Sequence, residues 1–169
     1  MSMEELIDVY DENRVFTGVT VPRKTKLEKG RYMLYALALL ENEEGRILIT
    51  RRALTKKWAP GSWEIPGGGV HTGEDTTTAV CREALEETGI RVLPENARVL
   101  YSYRNDDPKG DNYYNDIFLC KADFSIEDVA IQEEEVIDVR LATVEEIKEL
   151  HHSDGFLHYE RIMSALEKR

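Results

Sequence analysis

Cysteine is scarce in this chain. Two of its 169 residues, Cys81 and Cys120, carry thiols, and they form no CxxC pair. A disulfide framework is therefore excluded, and both read as small core residues. Long apolar runs are also lacking: none approaches the roughly 20 residues that a membrane-spanning helix needs. The start, MSMEELIDVY, has no basic segment leading into an apolar one, so no signal peptide is expected. The expectation is a cytoplasmic protein with no membrane partner. Positive charge is short, with 22 Lys and Arg against 33 Asp and Glu, for a net charge of −11. A polymeric nucleic-acid partner needs basic surface to displace counterions, so that class is excluded. A small anionic ligand is not, because bound divalent cations can invert the local sign. Repeats and low-complexity linkers are missing as well.

What is present suits a folded soluble chain: 41% hydrophobic and 33% charged residues. The length fits a single domain over residues 1–169. Such a domain buries roughly 70% of the surface its unfolded chain exposes. LIDVY and RVFTGVTV alternate around the turn residues DEN, which predicts an N-terminal hairpin. With the polar loop PRKTKLEKGR it makes an extension over residues 1–30. YMLYALALL and RILIT read as buried strands joined by a tight connection. RRALTKKWAPGSWEIPGG reads as loop. RVLPENARVLYSYRN, YYNDIFLCKADF and VIDVRLA read as further strands. TVEEIKELHH, with a Thr cap, and FLHYERIMSALEKR read as helices. The class is α+β with a mixed sheet.

The segment GGGVHTGEDTTTAVCREALEETGI raises a question of charge. Glu74, Asp75, Glu83, Glu86 and Glu87 crowd together, and like charges on a helix repel. Thr72 can cap a helix starting near Asp75, and Gly89 is a natural stop. At about 100° per residue, Glu83, Glu86 and Glu87 share one face, while Val80, Cys81, Ala84 and Leu85 gather opposite. Arg82 lies one turn before Glu86 and can pair with it. A solvated acidic face is the ordinary reading of such a run. However, these acids sit toward the helix C-terminus, where the macrodipole disfavours negative charge. They also adjoin a Gly-rich loop. A hard divalent cation, Mg²⁺ or Mn²⁺, would relieve the repulsion and could share its oxygen ligands with a phosphate.

Gly68, Glu74, Arg82, Glu83, Glu86, Glu87 and Gly89, with Ile90 behind them, resemble the Nudix box, G-x5-E-x7-R-E-U-x-E-E-x-G-U. Ala84 is the one departure, a small residue at the first bulky aliphatic position. The resemblance covers about residues 30–150. It implies an α/β/α sandwich with a mixed sheet, to which the N-terminal hairpin would be an addition. It also implies Mg²⁺- or Mn²⁺-dependent hydrolysis of a small-molecule diphosphate, often nucleoside-linked. By position, Gly67 (through its carbonyl), Glu83, Glu86 and Glu87 would hold metal. Arg82 would hold Glu86, and Gly68, Glu74 and Gly89 would support the loop. Glu83 is the first candidate for general base. Some family members take the base from a later loop, which keeps Glu133, Glu134 and Glu135 in view.

Arg51 and Arg52 end a buried strand, where related enzymes often face an arginine to the phosphates. One is expected to point inward and the other outward. Lys57, with Lys56, can assist. Trp58, Trp63, Tyr101, Tyr103, Tyr113 and Tyr114 are read as core rather than stacking residues. His71 is read as a solvated loop residue, and His151 and His152 have no assigned role. The N-terminal arm also resembles the subgroup containing isopentenyl-diphosphate isomerase, but WEIPGGGVHTG lacks the cysteine that chemistry needs. The competing reading from another class is a catalytically silent, ligand-binding regulator of the same fold. A homodimer through the hairpin is a further expectation.

Overall fold

The computed structural model describes residues 4–169. The first three residues of the expected N-terminal extension lie outside it. A two-stranded hairpin, β1 (Leu6–Tyr10) and β2 (Phe16–Pro22), precedes a seven-stranded mixed sheet. The sheet comprises β3 (Met33–Glu41), β4 (Ile47–Arg52), β5 (Trp63–Glu64), β6 (Gly67–Gly69), β7 (Ala97–Asn105), β8 (Tyr113–Lys121) and β9 (Val136–Ala142). Its main path runs β5-β4-β3-β8-β7, with β6 on β3 and β9 on β4. Strands β3 and β8 pair in parallel from Met33↔Tyr113 to Glu41↔Lys121, and the other pairings are antiparallel. Three helices cover the sheet: α1 (Thr76–Thr88), α2 (Val144–Asp154) and α3 (Tyr159–Leu166).

The unbroken apolar run of β3 has a simple cause. Leu34, Ala36, Ala38 and Leu40 pack with Val80 and Ala84 of α1. Leu37 and Leu39 pack on the other side with Ile147 of α2 and Ile162 of α3. A strand covered on both faces has no polar side to alternate. These two cores give the expected α/β/α sandwich. None of the helices among the described residues is long and apolar enough to cross a membrane.

Several local expectations need correction. Asp75, not Thr72, caps α1: its carboxylate accepts from the Thr78 amide at 2.8 Å. Thr72 is engaged elsewhere, donating its hydroxyl to Asp8 of β1. Gly89 ends α1 in the left-handed conformation, as expected. Leu85 is 40% exposed rather than packed. Two short strands, β5 and β6, lie in a stretch read as loop. The run before Ala97 is not strand but a single 3₁₀ turn at Pro94–Asn96. Helix α3 begins at Tyr159, because Phe156 bridges to Trp63.

The hairpin is bolted to the sandwich. Arg14, at the turn, donates to both oxygens of Asp116 on β8 at 2.8 and 2.6 Å. Asp116 also accepts from Thr76 of α1 (2.7 Å) and Ser102 of β7 (2.7 Å). Burial works against the Asp116 charge, but these hydrogen bonds outweigh it and hold the carboxyl below its usual range. Asp8 accepts from the Gly73 amide at 3.0 Å, which ties β1 to the loop ahead of α1.

Candidate active site

The acidic face of α1 meets β6 at two glycines. Strand β6 lies against β3 with Leu37↔Gly67 and Ala36↔Gly68 in register. A Cβ on Gly67 would come within 2.3 Å of the Ala36 carbonyl oxygen, and one on Gly68 within 2.6 Å of Glu83 Oε1. Bare backbone here lets the Glu83 carboxylate lie directly on the strand. Glu83 is 8% exposed. Glu87 is half-buried, and its Oε2 accepts from the Gly67 amide at 3.2 Å. Burial, then the adjacent charge of Glu83, pushes the Glu87 carboxyl up to about 9. A cation between the two acids would relieve their repulsion.

Arg82 orders the rest of the face. Its Nε and Nη2 grip Glu74 bidentately at 2.8 and 2.9 Å. Its Nη1 reaches Glu83 at 3.0 Å and Glu86 at 3.2 Å, and Nη2 also donates to the Gly69 carbonyl. Glu74 accepts from the His71 amide, which closes the loop. Glu74 is therefore the principal partner of Arg82, ahead of the expected Glu86. The Glu86 side chain is 59% exposed. Among the described residues no three acidic, His or Cys side chains converge at metal-holding distances. Glu83 lies against Gly68 and Glu87 takes the Gly67 amide, while Arg82 holds Glu86.

The site opens into a cleft of two adjoining cavities of about 390 and 500 Å³. The smaller holds Glu83, Glu86 and Glu87, and both are lined by Arg23, Arg52, Lys56, Glu64 and Gly67. Arg52 faces the cleft, bonded to Glu64 at 3.1 Å. Arg51 turns away to the Gly61 carbonyl and Asp154. This split follows from strand alternation. Lys57 is exposed, and Lys56, not Lys57, lines the cleft and pairs with Glu135. Of the Glu133–Glu135 triplet, Glu135 lines the acidic cavity. Trp63 is fully buried, whereas Trp58 is 61% exposed at the rim beneath the Arg52 guanidinium, against the expectation that it packs in the core. Tyr113 lines the larger cavity. His71 lies 3.5 Å from Glu5, and His151 stacks on Tyr159 at 3.8 Å.

Among the cleft residues that sequence reasoning missed are Arg23, Glu64, Asp111, Asn115 and His158. Arg23 comes from the basic loop after the hairpin, and Glu64 stands just before the glycines in WEIPGG. No local pattern marks the others.

The donor set fits a hard divalent cation: carboxylate oxygens, with Glu83 and Glu87 pressed together, on a backbone that a Cβ would obstruct. The NUDIX domain family matches residues 31–162 of the chain. The chain belongs to the Nudix hydrolase family. Relatives of this Nudix protein include an uncharacterized Nudix hydrolase of Listeria monocytogenes, 34% identical over 93% of this chain and 90% of that protein. An isopentenyl-diphosphate Delta-isomerase of Shigella boydii is 32% identical over 69% of this chain and 63% of its own length. The crystal structure of DR0079 from Deinococcus radiodurans superposes with a TM-score of 0.72, covering 98% of this chain and 100% of that one at 19% identity. Nudix hydrolases generally use divalent metals. Neither thiol of this member lines the cleft. Cys120 is buried in the core and pushed up to about 12 by that burial, so it is held protonated.

Proposed function

We propose that this Nudix hydrolase is a Mg²⁺-dependent pyrophosphohydrolase (Mn²⁺ being the alternative ion) that cleaves a small-molecule diphosphate by water attack on phosphorus. The observation that carries this reading is the Glu83–Glu87 pair, packed on Gly68 and Gly67 in a cavity that Arg52 and Lys56 also line. Glu83, Glu86, Glu87 and the Gly67 carbonyl would hold the ion. A bound ion of this kind neutralises diphosphate oxygens and acidifies water.

The chain's own residues supply the remainder. Arg52, Lys56 and Arg23 present cationic donors to phosphate oxygens. Glu83 accepts the proton of the attacking water, and Arg82 holds its Oε1 in place. Glu135 is the alternative base, since it reaches the same cavity, whereas Glu133 and Glu134 do not line it. Gly68 gives the Glu83 carboxyl room, Glu74 anchors Arg82, and Gly89 ends the helix so that Glu87 sits in its last turn.

The test is phosphate or phosphomonoester release from a panel of nucleoside and other diphosphates, with Mg²⁺ and with a chelator. Metal-dependent release from at least one member supports the reading. Binding without release from any member would instead identify a silent regulator.

A further inference from the structure

Trp58 has no part in the chemistry above, yet the loop that carries it is built to bring it to one place. The chain has two tryptophans; Trp63 is buried, and Trp58, on the loop between β4 and β5, is 61% exposed. That loop closes on Arg52. The Arg52 amide donates to the Ser62 carbonyl at 2.9 Å, and the Gly61 amide donates to the Arg52 carbonyl at 3.1 Å. Ala59, directly after Trp58, stands at φ +47. A residue with a Cβ seldom adopts that conformation, and where the surroundings enforce it the strained turn often serves a site.

The turn lays Trp58 back on Arg52. The Arg52 Nε donates to the Trp58 carbonyl at 3.0 Å, and its Nη1 donates to Glu64 at 3.1 Å. The guanidinium carbon lies 5.1 Å from the centroid of the Trp58 ring. A guanidinium is weakly hydrated and planar, so it stacks well on an aromatic face. Two hydrogen bonds and one face contact fix both the reach and the tilt of the group. Neither hydrogen bond engages Nη2. An arginine restrained in this way loses less freedom when an anion binds it.

We infer that Trp58 is a positioning residue: its indole holds the Arg52 guanidinium so that Nη2 meets a phosphate oxygen, and it acts through Arg52 rather than by touching the ligand. The inference rests on the diphosphate reading above. It explains why a large apolar side chain is left at the rim of a polar cleft, on a loop bent to return it to the strand end.

Calorimetry with Mg²⁺ and imidodiphosphate, a diphosphate analogue that resists hydrolysis, tests this. The probe has no ring, so stacking on the ligand cannot contribute. Trp58→Phe keeps an aromatic face and removes the indole N–H; Trp58→Leu keeps apolar bulk and removes the face. The phenylalanine variant should bind close to wild type. The leucine variant should bind roughly 2- to 30-fold more weakly, the worth of a cation over an aromatic ring. Melting curves should be alike, since the side chain is exposed. In an Arg52→Met background the difference between phenylalanine and leucine should vanish. Should Arg52→Met fail to fold by circular dichroism or fail to bind, the comparison in the natural background decides alone. The idea is overturned if the wild type does not bind imidodiphosphate, if Trp58→Leu binds as tightly as wild type, if Trp58→Phe is as weak as Trp58→Leu, or if their difference persists without Arg52. Failure of the hydrolase reading shows itself separately, as a panel of diphosphates left uncleaved in Mg²⁺ while the difference between the two variants stands.

Discussion

Adding one methyl group at Gly68 should separate activity from stability. The Ala Cβ would lie 2.6 Å from Glu83 Oε1 and 2.8 Å from its Cδ. Ordinary contact needs about 3.5 Å or more, so the carboxyl must retreat by roughly 1 Å. Glu83 can do so by turning its terminal torsions, because the obstructing atoms are the far end of a flexible side chain. An off-rotamer side chain costs about 0.5–1.5 kcal/mol, which lowers Tm by roughly 1–6 °C for a domain of this size. The catalytic effect is far larger. A misplacement of about 1 Å in a reacting constellation costs about 10²-fold. Glu83 would also shift relative to its neighbour Glu87. Gly68→Ala should therefore cut kcat about 100-fold while thermal melting changes little. Gly67→Ala is the contrast: its Cβ meets the Ala36 carbonyl at 2.3 Å in a backbone at φ +155, so it should damage folding itself. Phosphate-release kinetics and a melting curve on each variant measure both quantities. Gly68→Ala with near-wild-type turnover would refute the claim that Glu83 acts from its place on the strand.

Glu83→Gln keeps size and most hydrogen bonds, so the protein should fold normally and turn over roughly 10²–10⁴ times more slowly; if kcat barely moves, the base is elsewhere and Glu135→Gln is the variant to measure. Mg²⁺ should raise Tm, because it binds the folded acids and relieves the Glu83–Glu87 repulsion; saturation at 100 times Kd contributes about 2.7 kcal/mol, and a millimolar titration in differential scanning fluorimetry reads it. Asp116 links stability to acid: its folded pKa is depressed, so its contribution is complete above the unfolded value of 3.8 and fades as pH falls through the lower folded value. Arg14→Met should remove roughly 1–3 kcal/mol at neutral pH, the worth of hydrogen bonds between charged groups, discounted because Arg14 is one-third exposed. It should also flatten the acid limb of a Tm-against-pH curve.

Legibility in the sequence followed the range of the interactions. The α1 acids were visible because helical spacing alone puts Glu83, Glu86 and Glu87 on one face. The sandwich was visible because β3 is apolar on both faces. The cap of α1 was misplaced because Thr72 and Asp75 are both good caps, and a distant residue, Asp8, claims Thr72. Lys57 was preferred to Lys56 because nothing local tells which of two adjacent loop lysines turns inward. The wall with Asn115, Asp111 and His158 was invisible for a stronger reason. It is assembled from β8, the turn before it and the start of α3, which only the parallel β3–β8 pairing and the packing of α3 bring together. Arg23 reaches the cleft only because the hairpin folds back on the sheet.

The Arg14–Asp116 contact has a practical meaning for where this protein can be cut. The recognisable family segment starts at residue 31, which invites trimming to that boundary. Doing so would strip the cation from a carboxylate that also holds the first residue of α1, leaving an orphaned negative charge beneath the helix that carries the chemistry. The hairpin and its turn are thus less an appendage than the keystone against which that helix is set.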